Sequence, residues 1–156
     1  ISCMDRADAA LLQALQSDSS RPLAELAERA GLSPSACHRR VRALEERGLI
    51  AGYSARLDPR RLGLMVEVFV EITLTSQSRE AMDRFEEAVA SFDDILECHL
   101  MSGQADYILR VAAEDLDHYD RIHRNCLARL PGVSAMHSSF AIRRIKRMAG
   151  YPVPRG

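Results

Sequence analysis

Apolar residues recur along the first fifty positions at helical spacing and then, in the second half, switch for a stretch to strict alternation. After Asp5, a good N-cap, with Asp8 adding negative charge to the first turn, Leu11, Leu12 and Leu15 form one helical face that ends in the polar run Ser17–Ser20. A second short helix begins near Pro22, carries Leu23, Leu26, Ala27 and Ala30, and stops at Gly31. A third opens with Ser33 as cap and Pro34 at the first helical position, and runs to about Arg47 before Gly48. A short helix, a tight Gly31-Leu32-Ser33 connection and a longer basic helix make a helix-turn-helix. Residues 49–57 alternate like a strand, readable as a wing or an extended arm, and Asp58–Gly63 is a charged turn.

From Val66 the period becomes two: Val66, Val68, Val70, Ile72 and Leu74 alternate with Glu67, Phe69, Glu71 and Thr73. A helix is expected from about Arg79 to Ser91, with Met82, Phe85, Val89 and Phe92 on one face. Two strands, Ile95–Met101 and Tyr107–Ala112, follow. A helix from about Asp115 to Leu130 and a last strand from Val133 to about Arg147 complete the order, and the tail from Tyr151 reads as loose. The expected class is α+β: a winged helix-turn-helix domain over 4–52, a linker over 53–63, and a ferredoxin-like βαββαβ domain over 64–150. Met4 reads as the natural start.

The third helix carries the chemistry. With steps of about 100° per residue, Cys37, Val41 and Leu44 face inward, Ser35, Arg39 and Arg42 lie opposite, and His38 and Arg40 flank them. A cationic face of this kind suits the major groove: Arg pairs bidentately with guanine, while Ser33, Ser35 and the helix N-terminus engage phosphate. A merely solvated charged face is the alternative for an isolated helix, but the preceding helix and turn argue against it. Charge agrees. The whole chain carries only −1, but Arg21–Arg61 holds nine Arg against five acidic residues.

No apolar run approaches the roughly 20 residues of a membrane span, and no export signal opens the chain, so a cytoplasmic protein is expected. The four cysteines are scattered and read as reduced thiols. Cys98 and His99 are adjacent on a strand and point to opposite faces; His123 and Cys126 share a helix face but make only two ligands. Neither catalysis nor a metal or other cofactor is therefore expected.

The run Gly31-Leu32-Ser33-Pro34-Ser35-Ala36-Cys37-His38-Arg39-Arg40-Val41-Arg42-Ala43-Leu44-Glu45 resembles the helix-turn-helix of the leucine-responsive regulator/asparagine regulator (Lrp/AsnC, feast/famine) family. So do the opening Met4–Asp8 and the segment Gly48–Tyr53; Leu96–Tyr107 is similar to the family's sensor signature and Leu130–Val133 to the start of its last strand. The resemblance spans nearly the whole chain in order. It implies a transcription regulator that binds double-stranded DNA, forms homodimers that assemble to tetramers or octamers, and takes an amino-acid effector where dimers meet. An architectural DNA-binding protein of low specificity, without an effector, is the alternative.

Independently, a four-stranded sheet with helices on one face leaves the other to be covered, and Phe69 points to that second face. In the loop Met101-Ser102-Gly103-Gln104-Ala105-Asp106-Tyr107, Gly103 permits close backbone approach and Asp106 accepts from an ammonium group; the same residues would also make a plain hairpin turn. The resemblance favours the pocket reading. It adds Met136 and Ser138, which stand where the family commonly has two threonines; the loss of a hydroxyl and gain of a thioether makes the pocket more apolar, or else means that no ligand binds there.

Overall fold

The computed structural model describes residues 4–154 and divides into two compact units. One comprises the chain up to Arg56 together with the C-terminal segment from Ile145, the other Leu57–Arg144.

The first unit is built on α1 (Arg6–Ser17), α2 (Leu23–Ala30) and α3 (Pro34–Glu46). Asp5 caps α1 by accepting from the Asp8 N–H at 2.9 Å, and Ser33 caps α3 by accepting from the Ala36 N–H at 3.2 Å. Gly31 ends α2 in the left-handed region at φ 66°, with Leu32 donating back to the Ala27 carbonyl. The core of this unit joins Leu11, Leu15, Leu26, Ala27, Cys37 and Leu44, one apolar stripe from each helix. Beyond Gly48 the chain is an extended arm. Residues 49–57 form no strand, because no partner strand lies beside them among the described residues. Tyr53 instead donates its hydroxyl to Glu45 at 2.9 Å, and Arg56 donates to the Ser17 carbonyl at 3.3 Å.

The second unit holds β1 (Val66–Leu74), α4 (Arg79–Ala90), β2 (Ile95–Leu100), β3 (Tyr107–Ala113), α5 (Leu116–Asn125) and β4 (Val133–Phe140). The sheet is antiparallel in the order β2-β3-β1-β4, which is the ferredoxin-like arrangement. Val68, Val70, Ile72 and Leu74 from β1 join Tyr107, Leu109, Val111 and Ala113 from β3 under Phe85 and Val89 of α4 and Tyr119 and Ile122 of α5. The opposite face carries Glu67, Phe69, Glu71, Arg110 and His137, with Glu67 taking Arg110 at 2.5 Å and Arg144 at 2.6 Å.

Three boundaries differ from the sequence expectation. The last strand stops at Phe140, not near Arg147, because Phe140 already pairs with Val68 and β1 begins only two residues earlier. Helix α5 breaks at Cys126 and the segment finishes as a short 3₁₀ turn, Leu127–Arg129, which keeps Leu127 and Leu130 in the core. The tail is not loose at Tyr151: its N–H donates to Gln16 Oε1 at 2.9 Å, and Gln16 Nε2 donates to its carbonyl at 2.7 Å.

Candidate nucleic-acid interface and effector loop

On α3 the side chains of Ser35, His38, Arg39 and Arg42 are exposed, while Cys37 and Leu44 are fully buried on the reverse. Ser33 sits at the helix start, where its Oγ caps the backbone and lies 3.3 Å from Ser35 Oγ. The face therefore offers two guanidinium groups, an imidazole and a small hydroxyl on a rigid rod, and α1 and α2 pack against its back. Donors of this kind can bond base edges and phosphate oxygens from one helix face.

Arg40, grouped with this face from sequence, is placed differently. Its Nη1 donates to Asp5 at 2.5 Å and to Asp8 at 3.0 Å. Asp5 is held below its ordinary value first by the Asp8 N–H and then by Arg40, and the two carboxylates raise the guanidinium in turn. Arg40 thus ties α3 to the start of α1 and is not free for a groove. The signal was present in the acidic pair Asp5 and Asp8, assigned from sequence only to the helix start.

The predicted effector residues fall into two groups. Met101, Ser102, Gly103 and Gln104 are exposed on the loop between β2 and β3. Asp106 is engaged: its Oδ2 accepts from the Leu74 N–H at 2.7 Å and from Gln77 Nε2 at 3.3 Å, and its own N–H donates to the Ile72 carbonyl. It pins the loop to the end of β1. Gly103 shows no such internal need. It lies outside the left-handed region, and a Cβ added there would meet nothing within 4 Å.

Tyr107, Met136 and Ser138 face the helices instead. Tyr107 is buried against Phe85, ring centroids 4.6 Å apart, and donates its hydroxyl to Glu86 at 2.6 Å. Burial first, then this bond, pushes its phenol up, so it acts here as a core residue. Met136 packs against the same core, and Ser138 shares a 2.6 Å hydrogen bond with the Tyr119 hydroxyl. Ile72 pairs with Tyr107 on one side and Met136 on the other, which separates those two by two strand spacings, about 10 Å. A groove of about 460 Å³ beside Tyr107 is lined by Glu86, Val89, Ala90, Cys98, Leu100 and Tyr107, of which the sequence singled out only Tyr107 for a site.

Among the described residues, Cys37, Cys98 and Cys126 are free thiols, and no three His, Cys, Asp or Glu side chains gather in a metal-holding group. Burial pushes Cys126 up to about 11, which keeps the thiol protonated at neutral pH. No helix among them is long and apolar enough to cross a membrane.

This geometry has close counterparts. The family model for the AsnC-type helix-turn-helix domain matches residues 4–45, and that for the Lrp/AsnC ligand binding domain matches residues 67–151. The leucine-responsive regulatory protein of Escherichia coli is 40% identical over 144 residues, covering 92% of this chain and 88% of that one. An AsnC family transcriptional regulator from Agrobacterium tumefaciens superimposes with a TM-score of 0.90 at 39% identity, over 96% of this chain and 97% of that one. The transcriptional regulator NMB0573 from Neisseria meningitidis, solved as its L-Met complex, superimposes equally well, with a TM-score of 0.90 at 30% identity and the same coverage.

Proposed function

The chain belongs to the Lrp/AsnC family of transcriptional regulators, and we propose that it reads duplex DNA through α3 and adjusts that binding to a free, apolar amino acid. The exposed face of Ser35, His38, Arg39 and Arg42 on a capped, core-backed helix carries the DNA half of this reading. Arg40 is reassigned from base or phosphate contact to holding the helix in place. No catalytic residue is assigned, and work on chromosomal DNA implies a cytoplasmic site of action.

Replacing Arg39 or Arg42 by Ala should cost about 1–3 kcal/mol on a promoter duplex if the side chain reads a base. A phosphate contact would weaken all sequences alike and flatten the salt dependence. Affinity equal to wild type on both promoter and random duplexes would remove α3 from the interface. A ratio near one between those two duplexes for the wild type would favour the architectural alternative.

For the effector, the supporting observation is Gly103, whose missing side chain answers to nothing inside the chain and leaves exposed backbone open to a close-fitting ligand. The methionine complex of the Neisseria relative makes L-methionine the first candidate. The exposed Met101–Gln104 loop supplies the pocket in this reading, completed by a second copy of the chain. Met136 and Ser138 face the helices and lie outside this pocket, and Asp106 fixes the loop. Gly103→Val fits the open space without disturbing the fold, so it should abolish methionine binding in calorimetry and leave ligand-free DNA affinity unchanged. In the wild type, ligand should shift DNA affinity roughly 5–150-fold, the range of ordinary allosteric coupling. Undiminished methionine binding by Gly103→Val would move the pocket elsewhere.

A further inference from the structure

One groove of the second unit holds a negative charge that no cation balances. It lies between α4 and the edge strand β2, with a volume of about 460 Å³, and Glu86, Val89, Ala90, Cys98, Leu100 and Tyr107 form its walls. Ligand pockets commonly measure about 300–1,000 Å³ and are mostly apolar, with a few placed polar groups. This groove fits that description. Val89 and Ala90 from α4 and Leu100 from β2, which is 59% exposed, offer aliphatic surface; a carboxylate, a phenol and a thiol supply the polar side chains.

Glu86 is the charged member, and the fold holds it in place. Its Oε1 accepts from the Tyr107 hydroxyl at 2.6 Å, and Tyr107 is itself fixed in the core against Phe85. The residues one turn away on α4 are Met82, Asp83, Val89 and Ala90, none of them a cation. The two arginines of that helix, Arg79 and Arg84, pair with Asp83 and Glu80 instead. Burial pushes the Tyr107 phenol and the Cys98 thiol upward, so both stay neutral at physiological pH. The groove therefore presents one carboxylate beside apolar walls, and among the described residues it has no cation partner.

We propose that this groove binds a small apolar amine, its ammonium group on Glu86 and its short hydrocarbon tail along Val89, Ala90 and Leu100. A primary amine is protonated at neutral pH, as the lysine side chain is, so it brings the charge that Glu86 lacks. A free amino acid fits less well, because its carboxylate would enter beside that of Glu86 with no guanidinium or ammonium to receive it. None of the residues Met101–Gln104 lines the groove, so this site is separate from the effector loop and does not depend on that reading.

The test is titration calorimetry of the full chain with isoamylamine, with isoamyl alcohol as the neutral counterpart and leucine as the carboxylated one. Hydrogen bonds to a charged group are worth about 1.5–3 kcal/mol, so wild type should bind the amine about tenfold or more tighter than the alcohol. Glu86→Gln keeps an acceptor for Tyr107 and removes the charge, and it should weaken amine binding by about the same factor. Gly103→Val should bind the amine as wild type does. No amine binding at millimolar concentration overturns the proposal, as does equal binding of amine and alcohol, or undiminished amine binding by Glu86→Gln. Loss of amine binding in Gly103→Val would place the amine on the loop and overturns the groove. Leucine held by Gly103→Val but lost from Ala90→Phe would make the groove an amino-acid site and overturns the amine class. Ala90→Phe also covers the case in which Glu86→Gln melts early: it fills the groove from an exposed helix position and should abolish amine binding, and retained binding overturns the proposal.

Discussion

At the scale of single residues, fate is decided by partners that lie far off in sequence. Arg40 and Arg39 are neighbours of the same type, but only Arg40 finds Asp5 and Asp8 within reach. Asp106 likewise spends its carboxylate on the Leu74 N–H, a donor supplied by another strand. Glu67 shows the thermodynamic side of such pairing. Burial alone would raise its carboxyl, but Arg144 and Arg110 outweigh burial and hold it below the ordinary 4.5. Its contribution to stability is thus in full above the unfolded value and is lost as pH falls through the lower folded one. Wild type should lose stability on acidification from about pH 5 more steeply than Glu67→Gln, measured by denaturant unfolding at each pH. Parallel pH profiles would show that this carboxylate is not linked to folding. Residues such as Arg40, Asp106 and Tyr107 were illegible as to role because composition and spacing fix a side chain's direction but not its distant partner.

At the scale of elements, local chemistry says much more. Asp5, Ser33 and Gly31 mark their helix ends unaided, since caps and the left-handed turn involve only three or four consecutive residues. Ser33→Ala should destabilise the first unit by about 1 kcal/mol, seen as a lower thermal midpoint in circular dichroism, with Ser33→Asp close to wild type. A midpoint unmoved by Ser33→Ala would mean that packing alone holds the start of α3. The alternating strands and the order of the second unit were equally legible, because β1 and β3 keep period two over their full length. Where the sequence reading erred, at the ends of β4 and α5, or left two readings open, in the arm after Gly48, the outcome depended on whether a partner strand or a core position was still available. That is tertiary information, and the residues themselves do not carry it.

At the scale of the whole molecule, the second unit leaves one sheet face without helices. Phe69 stands on it, paired in register with Arg110 and Ser139 and 37% exposed, an apolar centre among polar neighbours. Covering that face with its copy from a second chain is the economical solution, and family membership agrees with an oligomer. Phe69→Glu, which places like charges opposite one another across a two-fold seam, should reduce the dimer to a monomer in analytical ultracentrifugation at micromolar concentration. A dimer that persists would put the seam elsewhere. The strand order β2-β3-β1-β4 also has a consequence in time. The helical core of the first unit uses only residues between Leu11 and Ile50, and it can form early in synthesis. Strand β1 sits between two partners, and the second of them, β4, begins only at Val133, long after β1 has been made. At about 5–20 residues per second, a nascent chain spends several seconds with Val68, Val70 and Ile72 in place and one strand edge bare. That interval, not the finished protein, is when the chain is most open to aggregation and most in need of a chaperone.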